Sequence, residues 1–164
     1  MPINELLIQE FDREMANTRK VLERVPEEKW EWRPHAKSGT VGWLAGHVAT
    51  LPGFGTAIIR TPGLEVVGAR FPRVEKHATL IDTFLRAVED TRKALGDVTD
   101  DQLRQTWTLT NNGQPIFTLP RYHALRAMCF NHVVHHRAQL TVYFRLLDIP
   151  VPGLYGPSAD ETVF

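Results

Sequence analysis

Apolar residues recur every three or four positions in four separate stretches of this 164-residue chain, and this periodicity restricts the fold more than any other feature. Such spacing places side chains on one face of an α-helix, which must then be buried against another element. The first stretch carries its stripe at Leu7, Phe11, Met15, Thr18, Leu22 and Val25. Pro26 follows, and we expect it to close the helix because proline cannot continue the hydrogen-bond ladder.

Two further helices are predicted in the middle of the chain. The second begins near Thr40, and Pro52-Gly53 should kink or end it before a helical continuation to Ile59. The third covers about 78–95, with Gly96 as its stop signal. Their apolar positions are Val41, Leu44, Ala45, Val48, Leu80, Ile81, Phe84, Leu85, Val88 and Leu95.

The remaining segments complete a predicted all-α four-helix bundle in a single domain over 1–164. Residues 60–76 are rich in glycine and proline and predict a long crossover loop. Thr99 opens a capping-box pattern for a short helical turn. Asn112-Gly113 lies between apolar runs and predicts a small hairpin near 107–117. The longest helix is predicted to open at Thr118 and Pro120 and to run to about Leu147.

Charge and composition make several functional classes improbable for this chain. Nineteen basic and nineteen acidic side chains cancel, and no basic run stands out, so we expect no nucleic-acid partner. No uncharged apolar run approaches the ~20 residues of a membrane span, and residues 1–14 do not resemble a signal peptide. Cys129 is the single cysteine, which excludes an internal disulfide. We therefore expect a cytoplasmic protein without a membrane partner.

The histidines of the last predicted helix are the strongest chemical signal. His132 and His136 are four residues apart, so they share a helix face with Cβ atoms roughly 5–6 Å apart and both can reach one metal ion. His135 points to a different side. The pair belongs to a stripe of core-facing or near-core positions: Leu125, Cys129, His132, His136, Gln139 and Tyr143.

A third ligand has to come from another helix. His47 is the natural candidate, because it follows Leu44 by three residues on the apolar side of the second helix. On spacing alone the alternative stays open that the three histidines are hydrogen-bonded core residues with no metal. Neutral imidazoles suit zinc, nickel, copper and iron alike, so the residues do not select an ion.

Four motifs give the chain a resemblance to the DinB/YfiT-like superfamily over about residues 3–150. They are Pro26-Glu-Glu-Lys-Trp30, Trp32-Arg33-Pro34, Gly42-Trp-Leu-Ala-Gly-His47 and His132-Val-Val-His-His136-Arg-Ala-Gln-Leu. The last is similar to the terminal H-x-x-H-H-R-G-Q-L signature of that family, with Ala138 in place of the usual glycine. This replacement favours helix by up to ~1 kcal/mol and leaves the histidines untouched.

The resemblance implies a four-helix bundle, often a homodimer, that holds a divalent ion such as zinc, nickel or manganese. Carried over by position, the ligands are His47, His132 and His136. Characterised relatives include transferases and isomerases that use low-molecular-weight thiols. We therefore hypothesise a metal-dependent transferase or hydrolase acting on a small molecule. The alternative is a non-enzymatic metal- or ligand-binding stress-response module.

Other residues near the histidines are expected to have accessory or packing roles. His135 is expected to be solvated, and the alternative is an acid or base at the rim of a cavity. Arg137 is placed on the outer face of the helix, where it would pair with an acid, and the alternative is that it anchors an anionic substrate. Asn131 and Gln139 are candidates to orient the imidazoles. Three aromatic residues are expected to act first in packing and second as pocket walls: Trp43, Trp107 and Tyr143. Cys129 is expected to be a small core residue.

Overall fold

Seven α-helices and a small three-stranded sheet make up the fold in a computed structural model that describes residues 1–69 and 71–162. The helices are α1 (Ile3–Leu22), α2 (Val41–Thr50), α3 (Gly53–Arg60), α4 (Leu80–Asp97), α5 (Asp100–Arg104), α6 (Arg121–Leu125) and α7 (Asn131–Leu146). The strands are β1 (Gly63–Glu65), β2 (Thr106–Asn111) and β3 (Gln114–Pro120). A π-helical turn, Arg126–Phe130, connects α6 to α7.

The long helices pack around one hydrophobic core. Helices α1 and α2 each contact both α4 and α7, while α3 packs against α4 and α6. All six stripe positions of the first predicted helix are buried, although α1 ends at Leu22 and leaves Val25 in the turn before Pro26. The expected helical character of the chain is confirmed, and the four-helix bundle stays a prediction. Within the described residues no helix is both long enough and apolar enough to cross a membrane.

Local sequence signals predicted the starts of the short elements well. The Thr40 hydroxyl accepts a hydrogen bond from the Trp43 amide at 3.1 Å and begins α2. Thr99 and Gln102 form both bonds of the capping box at the start of α5. The hairpin is confirmed and extends over β2 and β3, with Asn112 and Gly113 at φ 50° and 71°, as a tight hairpin turn requires.

Several predicted boundaries were wrong. Residues 63–65 form a strand parallel to β2 inside the predicted crossover loop. The Glu65 carboxylate accepts hydrogen bonds from the backbone amides of Asn112 and Gly113, both at 3.0 Å, and joins this strand to the hairpin turn. Thr118 and Pro120 belong to β3, so the last helical segment begins only at Arg121. Leu85, predicted to face the core, is 38% exposed, and α4 continues past Gly96.

The buried face of α7 also differs from the predicted stripe. Its buried residues are Val133, Arg137, Leu140 and Phe144, and the histidines lie at the edge of this face. The π-helical turn before α7 holds more residues per turn than an α-helix, so it rotates the residues after it away from the 3.6-residue pattern. The stripe that contains Leu125 and Cys129 therefore continues into Val133 and Arg137.

Arg137 is 1% exposed, which overturns its predicted position on the outer face. Its guanidinium donates to the Glu14 carboxylate at 2.8 Å, to the Glu14 carbonyl at 2.9 Å and to the Thr18 hydroxyl at 3.0 Å. It also donates to the Tyr155 hydroxyl, which donates in turn to Glu14 at 2.5 Å. This buried network joins α7 to α1 and to the C-terminal segment.

Replacing Arg137 by methionine is expected to lower the free energy of unfolding by about 3–5 kcal/mol, because the Glu14 carboxylate then stays buried without a partner. The double variant R137M/E14L should recover most of that loss, since it removes both charges. Arg145→Met is the matched control on the same helix, where the pair with Asp160 is half exposed and worth about 1 kcal/mol or less. Urea unfolding curves measure the free energy of unfolding of all three variants. Equal losses for R137M and R145M would contradict the stronger contribution assigned to the buried pair.

Candidate metal centre

Helices α2 and α7 bring His47, His132 and His136 together. One ring nitrogen of each lies within 4.8 Å of those of the other two. The ring centroid of His47 is 5.2 Å from that of His132 and 4.5 Å from that of His136, with both pairs close to perpendicular. All three side chains are half-buried. The structure thus brings together every predicted ligand.

Close packing at the start of α2 holds His47 in place. Gly42 admits the Trp30 indole, since a Cβ atom there would lie 2.3 Å from the Trp30 ring, and its amide donates to the Trp30 carbonyl at 2.8 Å. Trp43 stacks on His47 with the ring centroids 5.4 Å apart and the planes at 15°. The helix and this indole together restrict the orientation of the imidazole.

A hydrogen bond to Gln139 determines which ring nitrogen of His136 carries a proton. Nδ1 of His136 lies 2.8 Å from Oε1 of Gln139, and because an amide oxygen only accepts, Nδ1 carries the hydrogen and Nε2 keeps a lone pair. For His132, the backbone of Met128 opposes the fall in pKa that burial causes. Gln139 therefore has the predicted orienting role, whereas Asn131 is exposed on the surface.

The three imidazoles are neutral near pH 7. Burial, followed by repulsion from His136 and His132, lowers the pKa of His47 to about 4. Burial is also the largest cause that lowers the pKa values of His132 and His136. Neutral imidazoles have lone pairs available to a metal ion, whereas imidazolium ions would repel it.

The donor set fits a divalent ion. Ring nitrogens bind such ions at about 2.0–2.1 Å, so two nitrogens on one ion lie at most about 4.2 Å apart, which small imidazole rotations would achieve here. No protein group in residues 1–69 or 71–162 hydrogen-bonds to the His47 ring, whereas a histidine in a core normally has such a partner. These features favour a metal centre over the alternative of three satisfied core histidines.

The neighbouring residues divide into packing and lining roles. His135 is exposed as predicted, with its ring centroid 4.8 Å from that of His136. Cys129 and Trp107 are fully buried as predicted, and burial raises the pKa of the Cys129 thiol to about 12. Trp43 is 56% exposed and lines a cavity, so it has the second of its two predicted roles, that of a pocket wall.

A cavity that the sequence did not reveal adjoins His47. It measures about 630 Å³ and is lined by residues of α2, α3, β1 and the segment 69–74, excluding residue 70. His47 and Trp43 belong to this lining. Gly46 was the one sequence feature that could have indicated this cavity. Because Gly46 has no side chain, the Cβ atom of Val74 lies only 3.1 Å from the position that a Cβ atom of residue 46 would occupy. This close approach brings residues 69 and 71–74, which we call the crossing segment, against α2.

Comparison with known proteins agrees with this fold. A DinB-like protein from Bacillus cereus is 25% identical, with a TM-score of 0.67 over 90% of this chain and 94% of the other. A DinB-like protein from Bacillus subtilis is 17% identical, with a TM-score of 0.71 over 96% and 99% of the two chains. No curated protein sequence matches significantly. The sequence model of the DinB family matches residues 1–162, and the chain therefore belongs to the DinB family.

Proposed function

We propose that this protein holds one divalent metal ion through His47, His132 and His136 and acts as a metal-dependent transferase or hydrolase on a small molecule. The observation that carries the proposal is the convergence of three neutral imidazoles beside a cavity. Zinc, nickel and manganese are the ions to consider, and a low-molecular-weight thiol is the co-substrate to test in transfer reactions.

The chain itself supplies the arrangement that such chemistry needs. Three imidazoles leave the other coordination positions of an ion open, as in catalytic sites. A bound divalent ion lowers the pKa of water or of a thiol and polarises carbonyl groups. His47 belongs both to the histidine set and to the cavity lining, so a molecule in the cavity contacts a ligand side chain directly. Trp43 covers one face of that imidazole and limits its movement.

The resemblance to the superfamily further suggests a homodimer, which we include in the proposal. Sedimentation of the purified protein gives its oligomeric state. The metal site itself uses residues of one chain, so it does not depend on this part of the proposal.

Protein purified without a histidine tag and without added metal is expected to contain about one divalent ion per chain. His132→Ala should lose this metal because it leaves only two ligands, while His135→Ala, the control three residues along the same helix, should retain it. Elemental mass spectrometry measures the content. If the metal persisted in H132A, or never bound to the native protein, the assignment would fail.

Gln139→Leu is expected to weaken metal binding by roughly 10–100-fold, the usual effect of removing a group that orients a ligating imidazole. Gln139→Glu keeps an oxygen that accepts from Nδ1 of His136 and should preserve affinity. Competition with a chromogenic chelator measures both variants. If Q139L bound the metal as tightly as the native protein does, this hydrogen bond would have no effect on metal affinity.

Turnover should depend on the same residues. Metal-loaded protein is expected to catalyse thiol transfer to an organic electrophile or hydrolysis of an ester. Removal of the metal by a chelator and the H132A substitution should each abolish that activity, whereas the H135A variant should retain it. A panel of electrophiles with and without thiols, followed by mass spectrometry, provides the measurement. Stable metal binding without turnover across the panel would overturn the enzymatic assignment in favour of a binding module.

A further inference from the structure

The walls of the cavity beside His47 are mostly apolar and favour the binding of apolar molecules. Trp43 and Phe54 line it from α2 and α3, and Phe71 lines it from the crossing segment. Phe54 and Phe71 stack with their ring centroids 5.5 Å apart, which joins the crossing segment to α3. A volume of about 630 Å³ lies within the range of pockets that enclose whole organic molecules.

Few polar side chains interrupt this lining. Thr50 donates its hydroxyl hydrogen to the His47 carbonyl at 3.0 Å, which leaves the hydroxyl only its acceptor capacity. Arg73 is the one charged side chain among the lining residues of the described chain. It is exposed and forms no ion pair within residues 1–69 and 71–162. An anionic ligand group would supply the missing partner.

We propose that this cavity is the substrate pocket, and that the substrate is a small organic molecule with an extended or aromatic apolar body and one anionic group that pairs with Arg73. This inference rests on the proposed function, since it places the reacting end of the substrate near His47. Apolar surface in the walls contributes affinity, and Arg73 selects the sign of the charge. The crossing segment thus acts as a wall of the site.

Glycine at position 53 offers a place at the edge of the pocket where a side chain can be added without a clash with the walls. Gly53 is the first residue of α3 and lines the cavity, and a Cβ atom there would meet nothing within 4 Å. A large side chain at this position therefore extends into open space. Gly96 on α4 also has nothing within 4 Å of its Cβ position and lies outside the cavity lining. It provides a matched control for glycine replacement.

The test measures binding of butanoate, hexanoate, octanoate and octylammonium to the full chain by calorimetry, with and without zinc, recording metal content in each sample. Affinity should rise about fourfold per added methylene until the cavity is filled, with or without zinc. Octanoate should bind more tightly than octylammonium, and R73Q should remove that preference. G53F should weaken octanoate binding by about tenfold or more with metal content unchanged, while G96F should match the native protein.

The outcomes separate this inference from the metal assignment. Absence of chain-length dependence, or equal octanoate binding by G53F and G96F, would overturn the pocket even if zinc binds normally. A pocket that responds as expected in a protein that takes up no metal even when zinc is added would support the ligand site and overturn the metal centre. G53L, which introduces a smaller obstruction, should show an intermediate loss and keeps the test decisive if G53F does not fold.

Discussion

The buried pair between Arg137 and Glu14 fixes the rotation of α7, and the position of the candidate metal centre follows from that rotation. Arg137 comes directly after His136, and its guanidinium is bound to Glu14 and Thr18 of α1 at 2.8–3.0 Å. With Arg137 facing α1, the histidines are turned toward α2. Burial of two charges costs desolvation energy that nearly offsets their attraction. We infer that the pair serves mainly to specify one packing of α7, because an alternative rotation would leave Glu14 unpaired.

Local chemistry in the sequence, together with the resemblance of its motifs to a known family, predicted the three histidines of the candidate site. The four-residue spacing of His132 and His136 fixes their common face within a single helix, whatever surrounds that helix. His47 followed from its place on the apolar side of α2 and from the resemblance of its motif. The rotation of α7 was less predictable, since the π-helical turn at 126–130 breaks the 3.6-residue repeat from which a buried stripe is inferred. Arg137 was consequently assigned to the wrong face.

Non-local contacts account for the part of the site that the sequence did not reveal. Strand β1 has only three residues, and its partners in β2 lie more than 40 positions later in the chain. Pairing of this kind leaves little trace in local composition, and the Gly- and Pro-rich segment 60–76 predicted only a loop. The cavity depends on this segment, because Phe71 and Val74 reach it only when β1 and Gly46 hold the crossing chain against α2 and α3.

The candidate metal centre and the cavity share His47 and helix α2, whereas α7 contributes only to the candidate metal centre. Helix α7 supplies two imidazoles whose orientation is fixed by buried and helix-local contacts, including Gln139 and the Arg137 network. The cavity wall comes from α2, α3, β1 and the crossing segment, and no residue of α7 lines it. Substitutions at Phe71 or Arg73 would therefore change the cavity wall without altering His132 or His136 on α7. In the function we propose, the metal-binding histidines would be constant and a short segment of the cavity wall would determine which molecules bind.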